Sequence, residues 1–155
     1  MNEAVVTPVQ PGDAEELAHF MRAKDARELM RADGLEPLDA VRKSVQLSDG
    51  NAWSIRINGD LVAITGLCQA GDILSPVGVP WLLTTNAIEK YKQTFLRVAK
   101  QIVADYQRQY PVLYQMVDAE YEGALWFMER LGFVLHPPQV HGVAGALFVP
   151  AVRSV

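Results

Sequence analysis

Three carboxylates, Asp72, Asp118 and Glu120, are of the type that takes a proton from a reacting group, and Tyr114 adds a polar ring in the same half of the chain. Asp118-Ala119-Glu120 falls where a strand gives way to a helix, so the same residues also read as a helix cap. Cys68 ends an apolar run, where a lone cysteine is a small buried hydrophobe; as a nucleophile it would need a histidine beside it. His19, His136 and His141 do not have the spacing of metal ligands, so no metal site is expected. Trp53, Trp81 and Trp126 are too far apart to form a motif. Trp126 lies on a helix whose other face looks buried; the pattern predicts its burial, and exposure would instead mark an interface.

The elements that must position these groups follow from periodicity. Ala4–Gln10 reads as a strand ending at Pro11-Gly12. Asp13 with Glu16 resembles a capping box opening a helix over Ala14–Arg22, which continues through Ala26–Ala32 and stops at Asp33-Gly34. Leu38–Leu47 is helical, with Val41 and Val45 four apart. The period then becomes two. Ala52–Ile57 and Leu61–Leu67 form a hairpin about Asn58-Gly59-Asp60, a turn that needs positive φ. Val77–Thr85 is extended, and its Pro80 marks an edge, a bulge or a break in pairing. Asn86 opens the longest helix, Ala87 to Gln109, with Ile88, Tyr91, Phe95, Ala99, Ile102 and Tyr106 on one stripe. Pro111–Val117 is a strand, Tyr121–Leu131 a helix ended by Gly132, and Phe133–His136 and Ala144–Val149 are short strands. The order predicts one α/β domain over residues 1–155. Its mixed sheet has an antiparallel N-terminal meander and helices on both faces.

Composition sets outer limits. Half of the 155 residues are hydrophobic and 21% are charged, which excludes a disordered or fibrous chain. With 14 Lys and Arg against 18 Asp and Glu, the net charge of −4 argues against a broad nucleic-acid surface. One cysteine excludes an internal disulfide and fits a reducing, cytoplasmic setting. Met1–Gln10 lacks the basic cluster of a signal peptide. Gly142–Val152, uncharged, is about half the ~20 residues a membrane helix needs, so no membrane partner is expected.

The element order resembles the GNAT fold, the superfamily of acetyl-CoA-dependent N-acyltransferases. Three segments carry the likeness: the Asn58-Gly59-Asp60 hairpin with Leu61–Gly66, Trp81–Thr85 with the helix after it, and EGALWFMERLGF at Glu122–Phe133. Within that fold the chain resembles the small internal virion proteins of short-tailed phages, through Trp81 before the basic helix Lys90–Tyr106, Tyr110–Val117, Phe127 to Gly132, His136, and the tail of Gly145, Leu147 and Phe148. That likeness implies a phage-encoded chain in the host cytoplasm or the virion. Its partners would be other phage proteins, in particle assembly or as an interaction module.

The GNAT resemblance implies acetyl-CoA as cofactor, held by Leu82, Leu83 and Thr84 of the fourth strand, by Asn86, Ala87 and Ile88 at the following helix start, and by Lys90 and Lys92. Equally, Asn86 reads as a plain N-cap with the lysines on a solvated face. Two departures stand out. The family's turn carries glycines so that backbone can approach phosphate oxygens, yet no glycine lies between Gly78 and Gly123. The family's acidic Tyr, five residues before the Phe of Gly-Phe, is here Met128, which has no proton to give. The expectation is therefore a degenerate acetyl-CoA site with weak or absent CoA binding; the alternative is an active N-acetyltransferase of unknown amine. Candidate catalytic groups are Tyr121, Tyr114 and Asp118, with Tyr121 one turn early for an acid.

Overall fold

The computed structural model describes residues 2–72 and 74–155; Met1 and Ile73 lie outside that description. The strands are β1 (Ala4–Pro8), β2 (Ala52–Ile57), β3 (Asp60–Gln69), β4 (Val77–Thr84), β5 (Val112–Asp118), β6 (Val134–Leu135), β7 (Gln139–His141) and β8 (Ala146–Ser154). The helices are α1 (Asp13–Phe20), α2 (Ala23–Asp33), α3 (Pro37–Leu47), α4 (Lys92–Gln109) and α5 (Glu122–Arg130). All strands join one mixed sheet in the order β1-β2-β3-β4-β5-β8-β6, with β7 also on β8. The β2–β3 hairpin is antiparallel, β4 and β5 are parallel, and α4 supplies the crossover that a parallel pair requires.

Each sheet face has its own core. One is built from Leu17, Met21, Val41, Ile64 and Leu83 under the first three helices, the other from Phe95, Val98, Val103, Leu113 and Met128 under α4 and α5. Trp81 belongs to the first face. Its ring lies over Gly66, where an added Cβ would come within 2.5 Å of it, and its indole N–H donates to Ser48 Oγ on the α3 side at 2.8 Å.

Four expectations are corrected. The first helix is two helices, because Met21 and Arg22 turn extended and join the end of β4: Met21 bridges Thr85 and Arg22 N–H donates to Thr84 O at 3.0 Å. Asp13 is not the cap of α1. Gly12 holds that position at φ 89°, a left-handed conformation natural to glycine, and Asp13 turns inward. The long helix does not start at Asn86. Thr85 caps a 3-10 turn, Asn86–Lys90, and α4 begins only at Lys92. The last strand runs on through Pro150 to Ser154 and carries the extra strand β7. Pro150 is tolerated because it falls where the outer neighbour changes from β7 to β6, so no donor is needed there.

Candidate active site

The site begins where β4 and β5 part. They pair only at Val77↔Val112 and Gly78↔Leu113. Thr85 N–H bonds back to Val62 O on β3. Alternation along an antiparallel strand therefore turns the backbone of Leu83 and Trp81 toward β3, and that of Pro80, Leu82 and Thr84 toward β5. Pro80 has no N–H, so the ladder to β5 cannot continue past it. Leu82 is left with an N–H and a C=O facing the gap.

Helix α2 closes the wide end of the gap with two acids one turn apart. Asp25 takes the β4 side: its Oδ2 accepts from Thr84 N–H and Thr84 Oγ1–H, both at 2.6 Å, and its Oδ1 accepts from Tyr121 O–H at 2.5 Å. Glu28 takes the β5 side, its Oε2 accepting from Asp118 N–H at 2.9 Å. Residues three apart on a helix share a face, so one helix tethers both splayed strands.

Among the described residues no cation pairs with Glu28. Burial pushes its pKa up to about 7, and the neighbouring carboxylates of Asp25 and Asp118 push the same way against the single amide bond. Burial likewise raises Asp25, although Thr84 and Tyr121 donate to it. Burial, then the Asp25 charge, drives the Tyr121 phenol far above its ordinary value. Its proton is committed to Asp25. The cleft itself has a volume of about 390 Å³ and a mainly apolar wall that includes Leu82, Ile88, Val117, Phe127 and Met128. It contains one half-buried carboxylate near neutrality, which fits a general base.

No family model matches the sequence, nor does any curated protein. The fold has many solved counterparts. The GNAT-family acetyltransferase from Streptococcus pneumoniae superposes with a TM-score of 0.66 at 17% identity, over 99% of each chain. An acetyltransferase from Salmonella typhimurium, solved with its cofactor acetyl-CoA, gives 0.68 at 12% identity, over 97% of this chain and 91% of that one. The aminoglycoside acetyltransferase AAC(6')-Ib, in complex with coenzyme A, gives 0.68 at 13%, over 98% and 95%. This is the GNAT acetyltransferase fold. The last two of these structures hold acetyl-CoA and coenzyme A.

Against that GNAT frame the sequence-derived candidates separate. Tyr121, Leu82, Thr84, Ile88 and Lys92 line the cleft. Asp118 lies behind it, buried; Arg31 donates to its carboxylate at 2.6 Å, and its Oδ1 receives the Glu120 amide, so its acid is a brace while its amide holds Glu28. Tyr114 points away, its hydroxyl donating to Met116 Sδ at 3.0 Å. Leu83 is buried in the opposite core. Asn86 is exposed. Ala87 N–H donates to Thr85 Oγ1 at 3.3 Å and Ile88 N–H to Thr85 O at 3.2 Å, so both amides are used within the turn. Lys90 sits 3.7 Å from Asp60, and Lys92 pairs with Glu89 at 2.9 Å. Trp126 is 57% exposed, against the expectation of burial, because it sits at the cleft rim and not under it. Among the described residues no cluster of His, Cys, Asp and Glu is placed to hold a metal ion, and no helix is long and apolar enough to cross a membrane.

The sequence reading missed Asp25 and Glu28. One signal was available: both occupy positions on the α2 face turned to the sheet, where an amphipathic helix places apolar residues.

Proposed function

We propose that the protein is an acyl-CoA-dependent N-acyltransferase in which Glu28 is the general base. The observation that carries the reading is the Glu28 carboxylate at the parting of β4 and β5, held by one backbone amide and raised to about 7 by burial. The free edge of Leu82 and the apolar wall suit a pantetheine arm. Acyl-CoA supplies an activated thioester, at whose carbonyl carbon the amine forms the C–N bond while the C–S bond breaks and the second nitrogen proton passes to the departing sulfur. Glu28 takes the first proton, converting the ammonium to the nucleophilic amine. The Leu82 N–H, unpaired in the sheet, serves as donor to the carbonyl oxygen as charge gathers there. Neither Tyr121 nor Met128 is needed as an acid. The test is acetyl-CoA turnover with a panel of primary amines across pH. The expected result is a kcat/KM that rises through pH about 7 as Glu28 ionises, and absence of turnover with every amine overturns the proposal.

A second reading has its own support. The amides of Ala87 and Ile88 are engaged within the 3-10 turn, and Met128 replaces an acid. Both features suit a degenerate GNAT acting as an assembly module of a phage particle in the host cytoplasm or virion. Thermal shift separates the readings. A ligand at a hundred times its Kd adds about 2.7 kcal/mol, roughly 5–10 °C for a chain of this size. No shift with acetyl-CoA or CoA favours the module.

A further inference from the structure

The engaged amides of the 3-10 turn leave open what recognises the nucleotide half of the donor, and the opposite rim of the cleft offers an answer. Trp126, on α5, lines the cleft yet keeps 57% of its surface in solvent. The Arg130 guanidinium lies over its ring, 5.3 Å from the centroid, one turn further along the helix. An indole that keeps that much surface in solvent beside a cation has room to take a second planar group. Across the mouth stand Lys92 and Gln93, at the start of the 18-residue helix α4, where the dipole favours anions. Lys92 is bound only to exposed Glu89, which Arg22 also holds at 2.7 Å, so it is released at little cost.

We infer that Trp126 is the adenine platform of this GNAT, with Arg130 and Lys92 binding the phosphates of the nucleotide, so that side chains of two facing helices do the work that amides of a glycine turn would otherwise do. An exposed indole stacked on a guanidinium, in a cleft wall, at the mouth of an apolar slot, is an uneconomical arrangement for a surface with no ligand. The chemistry suits a base with an attached phosphate: the indole accepts the π-face, and the two cations take the charge. The inference rests on the acyl-CoA reading and adds to it a preference. The donor is recognised by its nucleotide, and an acyl group carried on pantetheine alone binds without help from the rim.

The experiment is direct binding by calorimetry of CoA and of pantetheine to the wild-type chain, W126A and W126F, with tryptophan emission followed in parallel. Base-on-aromatic stacking gives an expected loss of about 5- to 150-fold in CoA affinity for W126A, with W126F restoring most of it. Pantetheine affinity changes by less than about twofold in either variant, and CoA quenches a component of the emission that W126A lacks. R130A weakens CoA and leaves pantetheine affinity within about twofold, since its partner ring remains. CoA binding to wild type that W126A leaves unchanged overturns the platform and leaves the acyltransferase reading standing. Equal losses for CoA and pantetheine overturn it as well, by showing a structural effect. No CoA binding to wild type overturns both together.

Discussion

Helices α1 and α2 each lay two acids, three residues apart, against the same sheet, and the two pairs end in opposite electrostatic states. On α1, Asp13 and Glu16 share Arg56 of β2, at 2.9 and 3.0 Å. Asp13 also accepts from Ser54 Oγ–H at 2.7 Å and Gln10 N–H at 2.9 Å. Burial works to raise its pKa, but the Ser54 hydroxyl, the Gln10 amide and Arg56 outweigh it and hold the carboxyl below its usual value. On α2, Asp25 and Glu28 receive only neutral donors, and burial wins. Helix spacing is alike; the α2 pair lacks a bonded guanidinium and also meets the larger burial penalty. A paired buried acid is a fastener, whereas one held by an amide alone keeps a proton it can exchange near pH 7.

The largest separation between the pairs is expected in catalysis. E28Q keeps an oxygen for the Asp118 amide but cannot take a proton, and kcat/KM is expected to fall about 100-fold or more, with the rise through pH 7 gone. E16Q, in the equivalent position of the paired set, should stay within about threefold of wild type. Steady-state kinetics of both variants across pH make the comparison. Equal losses would mean that the α2 pair is a fastener too.

Folding stability should separate them next, in the reverse direction. D13N leaves Arg56 with Glu16 alone and places an amide among donors, so a loss of about 2 kcal/mol is expected at pH 7. The sign follows from the depressed pKa. The carboxylate's contribution is present above its ordinary value of 3.8 and is lost as pH falls through the folded value. Wild type and D13N should therefore draw together in urea midpoints as pH falls below 3.8. A D13N deficit that is flat from pH 7 to pH 3 would show that shape at Asp13, and not charge, holds α1.

What could be read from sequence divides along the same line. The β2–β3 hairpin was legible because Asn58-Gly59 declares a turn and the flanking residues alternate. Pro80 was legible as an edge, a bulge or a break in pairing, because the missing N–H is a local fact, and only the sheet shows that it is the break toward β5. The break between α1 and α2 was not, since Met21 and Arg22 leave the helix for a bridge to Thr85 and for the Thr84 carbonyl, more than 60 residues along the chain. Asp13 with Glu16 matched the spacing of a capping box, yet both acids turn to Arg56. Asp25 and Glu28 fared no better for a related reason. Spacing shows that two acids share a face, but only the tertiary structure shows whether a cation meets them there. Tyr121, Leu82 and Lys92 came from the family resemblance, and the cleft contains them.

The smallest effect, and the one that tests the charge state of α2 without any substrate, is the stability of E28Q. Glu28 has a raised pKa, so between its ordinary 4.5 and about 7 the folded chain holds a proton that the unfolded chain has released. Stability contributed by this residue is then complete below 4.5 and declines as pH rises, until above about 7 the folded protein carries a buried charge that only an amide opposes. Glutamine never acquires that charge. Near pH 4.5 E28Q and wild type should differ little, because protonated Glu and Gln are close in shape and both accept from the Asp118 amide. At pH 8 E28Q should be the more stable by about 1–2 kcal/mol, the full linkage value being reduced because the side chain is half-buried and partly screened. Urea midpoints at the two pH values decide it. If E28Q is instead weaker than wild type at pH 8, an ionised Glu28 is stabilising, the α2 pair matches the α1 pair in kind, and the base assigned to this cleft has to be sought elsewhere.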